Sequence, residues 1–396
     1  MARENIVLVS GARTAIGKFA GSLKGFEASD LGAIAIRAAV ERAGLEPGQV
    51  DEVVMGCVAS AAENAFMARL SSIKAGVPHE ATAFTVNRLC SSGLQAIVTA
   101  GQEINDGFCE VAVAGGGESM SNIPYYLRKA RFGYRMGNAE LEDGLITALS
   151  DPINRCHMGI TAENVAKKFG ISREEQDRYS AESQRRATAA RDAGKFRDEI
   201  VPVKYRISRR EEGVFEVDEY IRSETTFESL SKLSPAFLTD GTGSVTAGNA
   251  SGINDAGAAV VLMKESRARE LGLKPLARIV DSAVAGVDPA IMGIGPVPAV
   301  RKLEKKTGVQ LADIGLIELN EAFAAQAIAC IRELELDPAK VNVNGSGISL
   351  GHPIGATGAI ITIKLVNEMV RENIRYGLAS LCIGGGQGLA VLFERC

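Results

Sequence analysis

Histidine is scarce in this chain. Three occur among 396 residues, His79, His157 and His352, so any histidine-dependent chemistry has few places to live. Cysteine is commoner but lacks a paired pattern. The seven copies stand at 57, 90, 109, 156, 330, 382 and 396, an odd number with no Cys-x-x-Cys among them. A disulfide framework or a thiolate zinc site is therefore not the organising device, and free thiols are expected. No run of about eighteen apolar residues is present, so no stretch reads as a membrane-spanning helix. Neither sign of charge dominates: 44 basic and 48 acidic residues give a formal net charge of −4, and no basic stripe is visible. Nucleic acid is thus excluded as the main partner, although a local pocket for an anion is not. The opening MARENIVLVSGARTA enters a strand-like run within a few residues and lacks the arrangement of an export signal. The expectation is a cytoplasmic protein.

What is there reads as an ordinary globular composition, 46% apolar and 23% charged, on a chain long enough for two or three domains. Ile6–Ser10, Val53–Val58 and Val111–Ala114 read as buried strands, with helical periodicity over Ala28–Gly44 and Gly93–Ile104. This rhythm predicts a mostly parallel sheet covered on both faces. Between about residue 123 and residue 250 the chain turns charge-rich and reads as helices and irregular loops; the βα rhythm returns after Ser251. There is also an internal repeat. AGLEPGQVDEVVM (43–55) aligns without gaps on TGVQLADIGLIEL (307–319), placing Gly44 on Gly308 and Met55 on Leu319. Each copy leads to a Gly-containing turn into a helix (CSSG at 90–93, GATG at 355–358), then to a strand ending in three glycines. The same three features in the same order predict a duplicated α/β domain with an inserted middle segment.

Four stretches can carry chemistry. Cys90 follows a short apolar run and precedes a helix pattern, a position where unpaired N–H groups and the helix dipole favour thiolate over thiol. Alone, a cysteine in an apolar context is ordinary core. NGSGISLGHPIGATG (344–358) packs six glycines or prolines into fifteen residues and holds His352, a side chain suited to take a thiol proton. Cys382 is a second thiol at a strand end beside Gly384–Gly386. Asn320, in NEAFA, ends the strand that begins at Ile314, at the carboxyl end where doubly wound sheets place their sites.

Together CSSG, NEAFA, GHPIGATG and CIGGGQG, in this order and spacing, resemble the thiolase family, and the similarity extends over essentially the whole chain. Within the family it is most similar to bacterial β-ketothiolases and acetyl-CoA acetyltransferases. The resemblance implies a thiolase fold: two duplicated βαβαβαββ domains in a five-layer α-β-α-β-α arrangement with an inserted loop domain. The expected division is 1–122 plus 252–273, an insert over 123–251 for coenzyme A binding and tetramer contacts, and 274–396. It further implies that Cys90 is acylated, that His352 activates it, and that Cys382 exchanges a proton with the second substrate. Asn320 would hold a water that shares an oxyanion site with His352; the N–H groups of Cys90 and Gly384 would form another. In YIRSETTFESLSKLSPAF (220–237), Arg222 and Ser229 match positions near the adenosine end of coenzyme A. Phe237, Ala247, Gly248 and Ser251 match the pantetheine arm, and His157, Met158, Met292 and Phe323 the acyl pocket. The chain writes CSSG where many biosynthetic members write CGSG, a change expected to bear on chain length, and NDAGAA rather than NDGAAA.

The implied activity is ping-pong acyl transfer: two acetyl-CoA joined into acetoacetyl-CoA, or a 3-ketoacyl-CoA cleaved by coenzyme A. No metal and no cofactor is implied beyond coenzyme A as substrate and product, and the expected assembly is a homotetramer. Three other readings stay open: a thiolase for longer 3-ketoacyl chains, a ketoacyl-synthase-type condensing enzyme, and a silent coenzyme A-binding scaffold. Malonyl-CoA against acetyl-CoA separates the second of these, and acetyl labelling of Cys90 the third.

Overall fold

A computed structural model describes residues 4–396 and shows a mixed α/β chain built around one long sheet. Counting the elements that frame the site, the first half contains β1 (Ile6–Thr14), α1 (Ala28–Arg42), β2 (Glu52–Gly56), α2 (Met67–Ala75), β3 (Thr82–Val86), α3 (Ser92–Asp106) and β4 (Val111–Ser119). An intervening segment carries α4 (Met158–Phe169), α5 (Arg173–Asp192) and the short α6 (Phe227–Leu230) among loops. β5 (Asn254–Lys264) then completes the first half. The second half follows as β6 (Ala277–Gly286), α7 (Pro296–Thr307), β7 (Leu316–Leu319), α8 (Ala324–Glu333), α9 (Thr357–Arg371), β8 (Tyr376–Ile383) and β9 (Gln387–Arg395).

The strand order is β7-β8-β9-β6-β1-β5-β4-β2-β3, and the two halves are joined where β6 runs antiparallel to β1, Ile6 opposite Ile279 and Leu8 opposite Ala277. Within the halves β2 is parallel to β3 and β4, as β7 is to β8, while β5 and β9 are antiparallel to both of their neighbours. α3 and α9 pack on each other between the two half-sheets, α1 and α2 cover the outer face of the first, and α7 covers the outer face of the second. Three apolar clusters fill the gaps. One surrounds α3 and α9, one lies beneath α1 and α2, and one lies beneath α7 and α8. This is the five-layer arrangement of the duplicated fold. Burial on both faces explains why β4 is buried at all nine positions and shows no polar alternation.

The repeat read from sequence is structural. Gly44 and Gly308 both take left-handed φ, +70° and +73°, just past a helix end. The single 3₁₀ turns Pro47–Gln49 and Leu311–Asp313 then lead into β2 and β7. α3 and α9 are both fifteen residues long. The glycine runs, however, differ from the expected match. Gly115–Gly117 lie within β4, whereas Gly384–Gly386 form the turn after β8. The first strand also runs on to Thr14 rather than Ser10, and β2 ends at Gly56 rather than at Val58.

The intervening segment is tied to the first half through a buried cation. Arg13, on β1, places its guanidinium on Asp218 at 2.8 and 3.0 Å and on Glu199 at 2.9 Å, all three residues being buried. Those two carboxylates hold Arg13 firmly charged despite its burial. Helices α4 and α5 pack against α8 of the second half.

Candidate active site

Cys90 sits in a strained turn between β3 and α3. Leu89, just before it, has φ +48°, a conformation costly for a residue with a Cβ. Neighbouring bonds hold it there. Asn87 Oδ1 accepts from Leu89 N at 2.9 Å, and Ser92 Oγ donates to Leu89 O at 2.7 Å while accepting from Arg88 N at 2.9 Å. Arg88 reaches Gln95 on α3 at 2.7 Å and Gln387, after the Gly384–Gly386 turn, at 3.3 Å. The turn is therefore fastened to both halves. Protein surrounds the Cys90 sulfur, yet the residue is only half-buried because one side opens on a cavity.

That environment overturns the expected thiolate. Burial pushes the Cys90 thiol up to about 11, against the opposing pull of the Gly384 and Cys90 backbone N–H groups. The helix begins two residues later, at Ser92, so the dipole does not win over desolvation. Resting Cys90 is a neutral thiol and needs a base.

His352 is placed to be one. Its backbone N–H donates to Asn254 Oδ1 at 2.9 Å, and Asn254 is itself fixed to Gly17 O at 3.0 Å. Thr357 donates its hydroxyl hydrogen to Pro353 O at 2.8 Å, so its oxygen accepts from His352 Nδ1–H at 2.7 Å. That assignment leaves Nε2 with a free lone pair. Burial lowers the imidazole to about 4, which keeps it neutral and proton-accepting at ordinary pH. Asn320 is buried next to it, its amide nitrogen 3.5 and 3.4 Å from the two ring nitrogens, so the amide faces the ring. Its Oδ1 has no partner. The next residue, Glu321, accepts from Tyr179 at 3.0 Å, Ser183 at 2.7 Å and Asn342 at 3.0 Å, which locks the end of β7.

A cavity of about 350 Å³ opens in front of these groups. Its wall includes Cys90, His352, Gly384, His157, Met158, Met292, Phe323, Phe237, Ala247 and Ser251. Cys382 is fully buried behind the wall, packed with Met158, Phe323 and Met292. Its thiol is pushed well up by burial and then by Cys90. His157 stacks on Phe237 with centroids 4.8 Å apart, and its Nδ1 accepts from Gly159 N at 3.0 Å as the cap of α4. It is a wall, held neutral by burial. Arg222 is outside this cavity, exposed, with its guanidinium 4.7 Å over the Tyr220 ring. It lines a shallower recess with Lys18 and Glu219, and Tyr220 and Ile253 belong to both spaces. Ser229 is exposed and uses its hydroxyl to cap α6, bonding Thr226 O at 2.8 Å. Gly248 is not in the wall; an added Cβ would lie 2.5 Å from Leu230, so it serves close loop packing. Ser91, the CSSG variant, is wholly buried and also outside the wall. Among the described residues no three His, Cys, Asp or Glu side chains converge as metal ligands, and no helix is long and apolar enough to cross a membrane.

The sequence reading missed Thr357, Asn254 and Arg88, which hold the reacting groups rather than meet substrate. A hydroxyl at the first residue of the helix after GHPIG was the available signal for Thr357; only packing reveals the other two.

A paired α/β fold whose cavity gathers a thiol, a neutral imidazole and free backbone N–H groups is the architecture of an acyl-transferring enzyme. The chain belongs to the thiolase family. Residues 6–266 match the profile "Thiolase, N-terminal domain" and residues 273–395 match "Thiolase, C-terminal domain". It is 53% identical over 396 residues to the beta-ketothiolase BktB of Cupriavidus necator, covering 100% of both chains. To an acetyl-CoA acetyltransferase of Pseudomonas aeruginosa it is 52% identical, covering 99% of this chain and 100% of the relative. Among solved structures, Bacillus anthracis acetyl-CoA acetyltransferase superposes with a TM-score of 0.97 at 49% identity, covering 100% of both chains. Human mitochondrial 3-ketoacyl-CoA thiolase in complex with CoA gives 0.95 at 45% identity, covering 99% of this chain and 98% of that one.

Proposed function

We propose that this thiolase joins two acetyl-CoA into acetoacetyl-CoA plus coenzyme A, and in reverse cleaves 3-ketoacyl-CoA, through an acyl-Cys90 intermediate. The placement of neutral His352 and Cys90 on the wall of one cavity carries this reading. In the first step His352 Nε2 takes the Cys90 proton as the sulfur attacks the thioester carbonyl. The N–H groups of Cys90 and Gly384 bind the resulting oxyanion, and coenzyme A leaves as its thiol by taking the Cys382 proton, which leaves Cys382 a thiolate while His352 keeps the proton from Cys90. Each well-aimed donor of this kind is worth about 3–4 kcal/mol. In the second step Cys382, as thiolate, takes a proton from the methyl of a second acetyl-CoA. The enolate oxygen is held by His352 and a water on Asn320, whose unpartnered Oδ1 supports that role. The carbanion then attacks acyl-Cys90, the Cys90 sulfur leaves and takes back the proton held by His352, and acetoacetyl-CoA is released.

Coenzyme A would enter past Tyr220, with its adenosine end by Arg222 and Ser229 and its pantetheine arm along Phe237, Ala247, Gly248 and Ser251 towards His157, Met158, Met292 and Phe323. We further propose that the enzyme works in the cytoplasm, in fatty acid metabolism. The proposed division is 1–122 plus 252–273, 123–251, and 274–396. A homotetramer is proposed as well, supported by Phe132 and Met136, 90% and 92% exposed on the intervening segment; light scattering of the purified protein checks it. A preference for short chains is tested by thiolysis of C4, C6 and C8 3-ketoacyl-CoA, with rates expected to fall along the series. Incubation with labelled acetyl-CoA is expected to place one acetyl on the Cys90 peptide. Labelling elsewhere, or none, overturns the mechanism.

A further inference from the structure

Glu118, next to last in β4, is completely buried, and its neighbours are backbone N–H groups and a thiol rather than a cation. A carboxylate in such a place persists only if its oxygens are filled with donors. They are. Val58 N donates at 2.9 Å, Ala59 N at 3.1 Å and the Cys57 thiol at 3.6 Å, and the backbone of Gly355 lies against the same carboxylate. Val58 is part of the cavity wall, and Gly355 lies three residues beyond His352. One carboxylate of the first half therefore fastens the loop after β2 to the loop of the second half that carries the imidazole. The approach is as close as backbone allows. A Cβ on Gly116 would sit 2.0 Å from Gly355 O, and one on Gly355 would sit 2.6 Å from Glu118 Oε2.

We propose that Glu118 is a positioning residue for acyl transfer: it fixes the His352 loop relative to Cys90 across the boundary between the halves, and its charge, placed behind the Val58–Ala59 backbone that packs with Cys90, adds to the burial that holds the proton on that sulfur. The proposal rests on Cys90 being the acylated nucleophile. The titratable groups around Glu118 are Cys57 from the end of β2, Cys90 from the turn before α3, and His352 on the loop it clasps. On β5 its cross-strand partner is Ala256, and the adjacent Asp255 bonds Ser121 instead, at 2.6 and 2.9 Å. Burial raises the Glu118 carboxyl to about 7 against the pull of its N–H donors, and its negative charge is one of the causes that raise the Cys90 thiol. Near neutrality both charge states are populated. The neutral form eases ionisation of Cys90; the charged form holds the two loops together.

The test is iodoacetamide alkylation of the whole enzyme from about pH 5.5 to 9, followed by mass spectrometry on the Cys90 peptide. Thiolate is the reactive form, so an isolated thiol below its pKa reacts about tenfold faster per pH unit. The wild-type profile is expected to flatten around pH 7, where Glu118 ionises, and to steepen again above. Glu118→Gln offers one acceptor oxygen for donors that now share two. It is expected to give a straight profile, faster alkylation above about pH 8, and a kcat about tenfold lower with KM within about threefold. Cys57→Ala removes one donor to the carboxylate and is expected to move the flat region to higher pH. A straight wild-type profile overturns the proposal, and so does a folded Glu118→Gln enzyme with unchanged kcat or an unchanged alkylation profile. If Glu118→Gln does not fold, the wild-type and Cys57→Ala profiles decide. Failure of acetyl labelling at Cys90 would instead sink the mechanism, because alkylation reads the coupling between the two groups without any turnover.

Discussion

At the scale of the residue, burial keeps two groups of the candidate site neutral, Cys90 as a thiol and His352 as a free base. Replacing Cys90 with serine is expected to lower kcat by at least about a hundredfold, because an alcohol is far harder to ionise and a poorer leaving group. Thiolysis of acetoacetyl-CoA measures it. Thr357→Val removes the acceptor for His352 Nδ1–H and lets the ring turn or change tautomer. A loss of about tenfold or more in kcat is expected, with KM little changed. The imidazole also leaves a mark on stability. Its folded value of about 4 lies below the ordinary 6.5, so between those values the unfolded chain binds a proton that the folded chain refuses. Stability should therefore fall as pH drops from about 6.5 towards 4. Urea unfolding at several pH values should show wild type losing stability relative to His352→Asn across that window.

At the scale of the element, turns fix the chemistry and strands fix the turns. The turn after β8 aims the Gly384 N–H at Cys90, and it depends on Gly386, whose φ is +86° and whose added Cβ would lie 2.3 Å from Val287 O. Both objections apply to any larger residue. Gly386→Ala is expected to cost about 1–3 kcal/mol of stability and to lower kcat more than it raises KM, read by thermal unfolding alongside steady-state rates. α3 and α9 begin one residue after Ser91 and Ala356 respectively, so each half contributes a helix N-terminus beside one reacting loop.

At the scale of the whole molecule, the cavity lies between parts that a βαβ unit alone would not bring together. Arg13 is one reason the intervening segment stays in place, since it carries two carboxylates from that segment onto β1. Arg13→Ala strands both of them in a dry interior, and a loss of about 3–5 kcal/mol is expected in denaturant unfolding. Arg13→Met, which still leaves the carboxylates unpaired, should not rescue it.

The sequence by itself determined the duplication, the strand-and-helix rhythm of the first half, and the four loops that carry reactive side chains. Those features are local: glycine at a left-handed cap, apolar runs of strand length, and a glycine-rich loop around a rare histidine are written in contiguous residues. Only the tertiary structure decided the protonation of Cys90, because desolvation depends on what packs around a sulfur and outweighed the nearby N–H groups. It also decided which residues hold the site. Glu118 acts on the loop at 355 and Asn254 on 352, contacts set by the folding of one half onto the other. A contact between distant positions has no periodicity to read, so it becomes visible only when the two halves close.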